Sequence, residues 1–199
     1  MGRIFYIMGK SASGKDHIYR YVKAQIRLNL KELILYTTRP MRDGEENGRE
    51  YFFTDEEKYK QLLHDGKIIE ARAYETVYGL WRYFTADEGQ IDLTAQDYIG
   101  IGTLESFDKL REYFGEEALC PLYIEVDDGI RLERALKRER GQKDPKYAEL
   151  CRRFLADCED FSEEKLCRAG IVKRFTNNSE ISDCQEEIIR WIEKMQNLM

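Results

Sequence analysis

An apolar run from Arg3 to Met8 ends at Gly9-Lys10-Ser11-Ala12-Ser13-Gly14-Lys15-Asp16, and a segment with Ile18, Val22 and Ile26 at helical spacing follows. The motif fits the phosphate-binding template G-x-x-x-x-G-K and departs from it only at its last position. A buried strand, a turn of small residues and a helix, in that order, leave few folds open. In such a turn consecutive backbone N–H groups point inward at phosphate oxygens, with the helix N-terminus behind them. Gly9, Lys10, Ser11, Ala12, Ser13, Gly14, Lys15 and Asp16 are therefore the expected cradle for a nucleoside triphosphate, with Lys15 reaching its β- and γ-phosphates. The template wants Ser or Thr at the last position, where a hydroxyl ligates Mg²⁺. Asp16 offers a hard carboxylate oxygen instead and suits a helix N-terminus, at the cost of sitting close to phosphate charge.

Strands and helices alternate along most of the remaining chain. Strands are expected at Leu33–Tyr36, Ile68–Tyr74, Tyr78–Phe84, Tyr98–Ile101, Leu119–Val126 and Ile171–Phe175. Helices are expected from Gly14 to about Leu30, from the capping pattern Thr54-Asp55-Glu56-Glu57 to His64, over Leu104–Phe114, after Asp127-Asp128, over Tyr147–Arg168 and over Asp183–Leu198. Such alternation argues for a parallel sheet covered on both faces.

The bulk properties narrow the function. A chain of 199 residues fits one domain. Net charge is −6 and the pI about 5.2, so the surface repels phosphate polymers. A general nucleic-acid binder or a binder of anionic membranes is not expected. No apolar run has transmembrane length, and a cytoplasmic protein is expected. None of Cys120, Cys151, Cys158, Cys167 and Cys184 forms a C-x-x-C pair, so they read as reduced thiols packed as small apolar groups rather than metal ligands.

Thr37-Thr38-Arg39-Pro40-Met41-Arg42-Asp43-Gly44-Glu45-Glu46-Asn47-Gly48-Arg49-Glu50-Tyr51 is the most specific stretch. Two arginines three residues apart, rigidified by Pro40, can converge on one phosphate with their guanidinium forks, and Tyr51 adds a hydroxyl. Together with the upstream loop, and with Glu70 and Tyr78-Gly79 downstream, the chain resembles the guanylate kinases. That family carries a T-T-R-x-x-R-x-G-E-x-x-G-x-x-Y segment, a later acid and a Tyr-Gly pair. The resemblance implies a three-layer α/β P-loop kinase fold with a parallel core sheet. One domain over residues 1–199 would comprise a core at 1–34 and 97–199, an acceptor-binding part at about 35–88 and a helical lid at about 137–150. It also implies that Arg39, Arg42, Tyr51 and Tyr78 hold the acceptor monophosphate and that Glu70 accepts hydrogen bonds from guanine N1 and N2. Arg134 and Arg138, four apart on one helix face, and Arg152 resemble the lid arginines that close over the triphosphate. Asn177 stands where the family has an Asn near the adenine. Lys15, Arg39, Arg134, Arg138 and Arg152 are thus the expected catalytic residues, ATP and Mg²⁺ the cofactors, Asp16 the metal ligand, and small nucleotides the partners of a monomer or homodimer.

Several positions depart from the family pattern. Leu35 and Leu80 stand where polar residues are usual, and Gly100 and Gly102 where the family has an Asp-x-Asp pattern. Phosphate handling is retained while base reading is reduced to Glu70. The expected reaction is phosphorylation of GMP or dGMP, less efficiently than in a typical member. The Lys15-Asp16 pair is also similar to the Gly-Lys-Asp loop of ribose 1,5-bisphosphate phosphokinases, which is the alternative. A non-catalytic interaction module is a second alternative, against which stand the intact Gly9, Gly14 and Lys15.

Overall fold

A computed structural model describes residues 2–76 and 79–198. Strand β1 (Ile4–Met8) is wholly buried and is the middle of a five-stranded sheet. Its neighbours are β7 (Asp97–Gly102) on one side and β8 (Leu119–Glu125) on the other, both parallel to it. Strands β2 (Leu30–Glu32) and β9 (Arg174–Thr176) complete the edges, again in parallel. Side chains alternate across β1, so Ile4, Tyr6 and Met8 face one layer while Phe5 and Ile7 face the other. The first set packs with Phe107 and Leu110 of helix α3 (Leu104–Phe114) and with Leu166 of α6 (Glu163–Arg168). The second packs with Ile18 and Val22 of α1 (Lys15–Lys23) and with Ile188 and Ile192 of α7 (Ile181–Asn197). The expected parallel sheet covered on both faces is the fold observed.

A second sheet was not foreseen. It has the order β4-β3-β6-β5, built from β3 (Tyr36–Thr37), β4 (Phe52–Phe53), β5 (Ile68–Thr76) and β6 (Gly79–Ala86). Helix α2 (Glu56–His64) covers it through Tyr59 and Leu62, which pack on Tyr36 and Phe84. Asp55 caps α2 by accepting a hydrogen bond from the Lys58 N–H at 2.8 Å. The single strand expected at Leu33–Tyr36 is divided between the two sheets. β2 ends at Glu32, the Leu33 N–H still reaches the Ile99 carbonyl at 2.8 Å, and the chain then crosses to β3.

Three further boundaries differ from expectation. Helix α1 stops at Lys23, and Ile26, third in the apolar row, is 94% exposed in a short 3₁₀ turn. The helix expected over Tyr147–Arg168 breaks into α5 (Tyr147–Asp160) and α6, where Phe161 leaves the helix to stack on Tyr123 in the core at 5.6 Å. β9 begins at Arg174, since Val172 points to solvent. Helix α4 (Asp128–Arg140) is capped by Asp127, as the sequence indicates. Among the described residues no helix is long and apolar enough to cross a membrane. Burial pushes the thiols of Cys120 and Cys184 up to about 11 and about 12, so both are inert packing groups, whereas Cys151 and Cys167 are exposed.

Candidate active site

The turn between β1 and α1 is held from three sides. Ala12 (φ 63°) and Gly14 (φ 88°) both adopt left-handed backbone, which folds the chain into a concave nest of N–H groups. Gly14 admits no side chain, because a Cβ there would lie 2.7 Å from Nδ2 of Asn177. That Nδ2 donates to the Ser13 carbonyl at 2.8 Å, and the Asn177 carbonyl accepts from Arg134 at 3.0 Å. Asn177 is buried beneath the loop, where it acts on the loop's backbone. From α5, the Asp157 carboxylate accepts the Ser11 N–H at 2.8 Å. Arg131, 1% exposed, bridges the Asp157 and Asp128 carboxylates and donates to the Ser11 carbonyl at 3.2 Å, with its guanidinium over the Phe154 ring. Neither Arg131 nor Asp157 was singled out from sequence, since 120 and 146 residues separate them from Ser11.

A cavity of about 830 Å³ opens from this loop toward the second sheet. Lys15 and Asp16 stand at one end, 4.0 Å apart, with the Asp16 side chain 74% exposed. At the other end are Leu35, Arg72, Tyr74 and Tyr83, and Arg49 and Tyr51 lie along the wall. Three of these were not read from sequence. A period of two along β5 puts Glu70, Arg72 and Tyr74 on one face, and Tyr83 of β6 stands opposite Arg72. That alternation was the signal available.

The structure does not bring Arg39 and Arg42 to the cavity wall. Arg39 is 4% exposed and forms a two-pronged pair with Glu45, both bonds 2.8 Å, while its guanidinium lies over the rings of Tyr51 and Phe53. Arg42 is exposed, and its backbone N–H donates to the same Glu45 carboxylate at 2.8 Å. The Thr37–Tyr51 loop is thus cross-braced by its own charges, which explains why a long polar segment is ordered. Arg39 first, and then the Arg42 N–H, lower the Glu45 carboxyl to about 2. A depressed carboxyl contributes its stabilisation in full above its ordinary value and loses it as pH falls toward the folded value. The melting difference between wild type and Glu45→Gln should therefore be constant above roughly pH 5 and shrink steadily toward pH 2. A difference unchanged across that window would rule the pair out as the brace.

Glu70 is buried behind the cavity. Its Oε1 accepts from the Thr85 hydroxyl at 2.9 Å and its Oε2 from the Ser106 hydroxyl at 3.2 Å, with Arg72 Nε 3.3 Å from Oε2. Gly100 and Gly102, at the end of β7, lie against Tyr6. A Cβ at Gly100 would meet the Tyr6 ring at 2.7 Å, and one at Gly102 would fall on its hydroxyl. Burial first, and then the Glu70 charge, push the Tyr6 phenol well above its ordinary value, so it remains a neutral donor. Tyr78 lies outside the described residues.

The lid arginines separate. Arg138 and Arg153 flank Ser11 in a small cleft. Arg134 is committed to Asn177, as above. Arg152 is exposed and pairs with Glu149 at 2.7 Å, away from the loop. Arg153 is therefore the neighbouring arginine that the fold brings forward. Buried Glu139 accepts from the Lys146 N–H and from Gln142, which ties down the turn between α4 and α5.

The nest, with Lys15 at its rim, fits a triphosphate. Among the described residues no cluster of three or more His, Cys, Asp or Glu side chains is placed to hold a metal ion. A lone carboxylate at Asp16 still fits Mg²⁺, which takes one or two protein oxygens and completes its shell with phosphates and water.

Comparison with known proteins agrees with this geometry. The sequence profile of the guanylate kinase family matches residues 1–83. A guanylate kinase of Thermotoga maritima is 37% identical over 84 residues, 42% of this chain and 40% of that one. The guanylate kinase of Ehrlichia chaffeensis is 30% identical over 147 residues, covering 72% of this chain and 67% of that protein. That of Bacteroides fragilis is 30% identical over 154 residues, covering 74% and 70%. The crystal structure of guanylate kinase from Anaplasma phagocytophilum superposes with a TM-score of 0.61 at 19% identity, over 98% of this chain and 86% of the other, which shows a shared fold. A nest for phosphate facing a cavity on a second sheet, in a chain with these relatives, places the protein in the guanylate kinase family of nucleoside-monophosphate kinases.

Proposed function

We propose that the protein transfers the γ-phosphoryl group of ATP to the phosphate of a nucleoside monophosphate, GMP or dGMP, and releases the two diphosphates. The observation that carries this reading is the single cavity running from Lys15 at the phosphate nest to Arg72, Tyr74 and Tyr83 on the second sheet. It has room for an acceptor whose phosphate lies near Lys15 and whose base lies against the tyrosines. The loop's N–H groups other than those of Ser11 and Ser13, which donate to Asp157 and to the Lys10 carbonyl, hold the donor phosphates, and Lys15 faces the charge that develops on the transferring group. Arg138 from the lid at residues 137–150 and Arg153 from α5 just beyond it supply cations beside Ser11. Asp16 would hold Mg²⁺, which when bound would supply charge neutralisation for the phosphates. Since phosphoryl transfer asks for little covalent chemistry from the protein, positioning and exclusion of water account for the rate.

Asp16 favours a second reading, in which ribose 1,5-bisphosphate is the acceptor. Both are tested by one coupled assay with Mg-ATP and equal concentrations of GMP, dGMP, AMP, CMP, UMP and ribose 1,5-bisphosphate. GMP and dGMP should be turned over fastest. Turnover of ribose 1,5-bisphosphate alone would replace the first reading with the second, and turnover of none would leave a binding module.

A further inference from the structure

We propose that Asp16 makes the phosphate nest selective for a metal-bound triphosphate, because its carboxylate cancels the charge of Lys15 and repels a nucleotide that arrives without a divalent cation. The inference rests on the phosphotransfer reading above and concerns which form of the donor the nest accepts.

The last position of the loop template is Ser or Thr, a neutral group. Asp16 puts a negative charge there, in the first turn of α1 and on the cavity wall. Its side chain is 74% exposed, and Lys15 Nζ, at 4.0 Å, is its one side-chain partner among the described residues. Arg20, a turn further on, donates to the Asp16 backbone carbonyl at 3.2 Å and leaves the carboxylate alone. The other cations of the wall are already matched. Lys23 donates to both oxygens of Glu32 at 2.9 and 2.8 Å, Arg49 pairs with Glu50 at 2.6 Å, and Arg72 lies 3.3 Å from Glu70. In the loop itself Lys10 pairs with Asp128 at 3.3 Å, and Asp157 brings a carboxylate to the Ser11 N–H. The cations left over are Arg134, turned to the Asn177 carbonyl, and Arg138 beside Ser11. They are fewer than the charges of a triphosphate.

The carboxylate acts with opposite sign on the two forms of the donor. A phosphate oxygen brought near it in a partly enclosed cavity meets a repulsion stronger than in water. The N-terminus of α1 favours an anion, and Asp16 already occupies that end. With a divalent cation between them the same carboxylate becomes attractive, because a hard cation takes carboxylate and phosphate oxygens together. A hydroxyl would give the second effect weakly and the first not at all. Asp16 therefore widens the gap between metal-bound and metal-free nucleotide from both sides.

The test reads binding rather than turnover: calorimetry with the non-hydrolysable analogue AMP-PNP, in EDTA and again with excess Mg²⁺. Wild type is compared with Asp16→Asn, which keeps the shape and removes the charge, and with Asp16→Ser, which restores the template hydroxyl. Wild type should bind the Mg²⁺ form at least roughly a hundredfold more tightly than the metal-free form. Asp16→Asn should bind the metal-free form roughly tenfold more tightly than wild type does, and the Mg²⁺ form more weakly. Asp16→Ser should also gain metal-free affinity. Movement in opposite directions is the signature, since a disturbed loop weakens both forms alike. Metal-free affinity unchanged or reduced in both variants overturns the inference, as does wild type binding the two forms equally. Wild type that binds neither form overturns the phosphotransfer reading as well. Wild type that shows the expected ratio yet phosphorylates no acceptor removes phosphotransfer and leaves the selectivity of the nest standing.

Discussion

Replacing Lys15 with Met is expected to lower kcat by roughly a thousandfold or more while leaving the melting temperature within a degree or two of wild type. The two halves of that expectation come from different observations. Lys15 stands at the rim of the nest and lines the cavity, so its ammonium is placed where negative charge gathers on the transferring group. Its one protein partner among the described residues is Asp16, at 4.0 Å on a largely exposed carboxylate. Pairs of that kind contribute little to stability. Single-turnover kinetics beside a thermal melt would measure both. Phosphotransfer near the wild-type rate would remove the loop from the mechanism.

The second large effect is expected at a residue that touches no substrate. Arg131→Met should destabilise the protein by roughly 2–4 kcal/mol, because it strips the shared cation from Asp128 and Asp157 and leaves the Ser11 carbonyl without its donor. The loss should be read twice, once in chemical denaturation and once in KM for ATP. The same guanidinium fixes Asp157, whose carboxylate holds the Ser11 N–H in the nest. KM for the acceptor should move much less. A variant with wild-type stability would show that Phe154 and the methionine replace the ionic contacts by packing alone.

The parts of this molecule that could be read from sequence are those whose determinants are contiguous. Gly9 to Asp16 is one turn, and its meaning follows from the strand before it and the helix after it. β1, α3, β8 and the Asp127 cap follow from local patterns of the same kind. The Thr37–Tyr51 loop shows why contiguity is insufficient. Its arginines are phosphate-binding in type, yet Arg39 satisfies its fork on Glu45, six residues away, and only the folded loop reveals it. Glu70 is a similar case, since Thr85 and Ser106 are brought to it by β6 and α3. The divided strand at Leu33–Tyr36 was illegible because four apolar residues look the same whether they serve one sheet or cross between two. Arg72 was within reach, two residues along the strand from an acid already singled out.

The fit of Tyr6 against Gly100 and Gly102 couples what the three positions can hold. Tyr6 and Gly100 are partners across neighbouring strands, and the Tyr6 ring occupies the space a Cβ at Gly100 would need. An acid introduced at Gly102 while Tyr6 remains collides with the phenol, and shortening Tyr6 first leaves a void against Phe107 in the core. Each change alone should destabilise the protein, and the effects of the two together should be non-additive in a double-mutant thermal melt. A carboxylate can therefore be added to this side of the cavity only with a compensating change at Tyr6, whereas the β5 side of the cavity carries no such constraint from Tyr6.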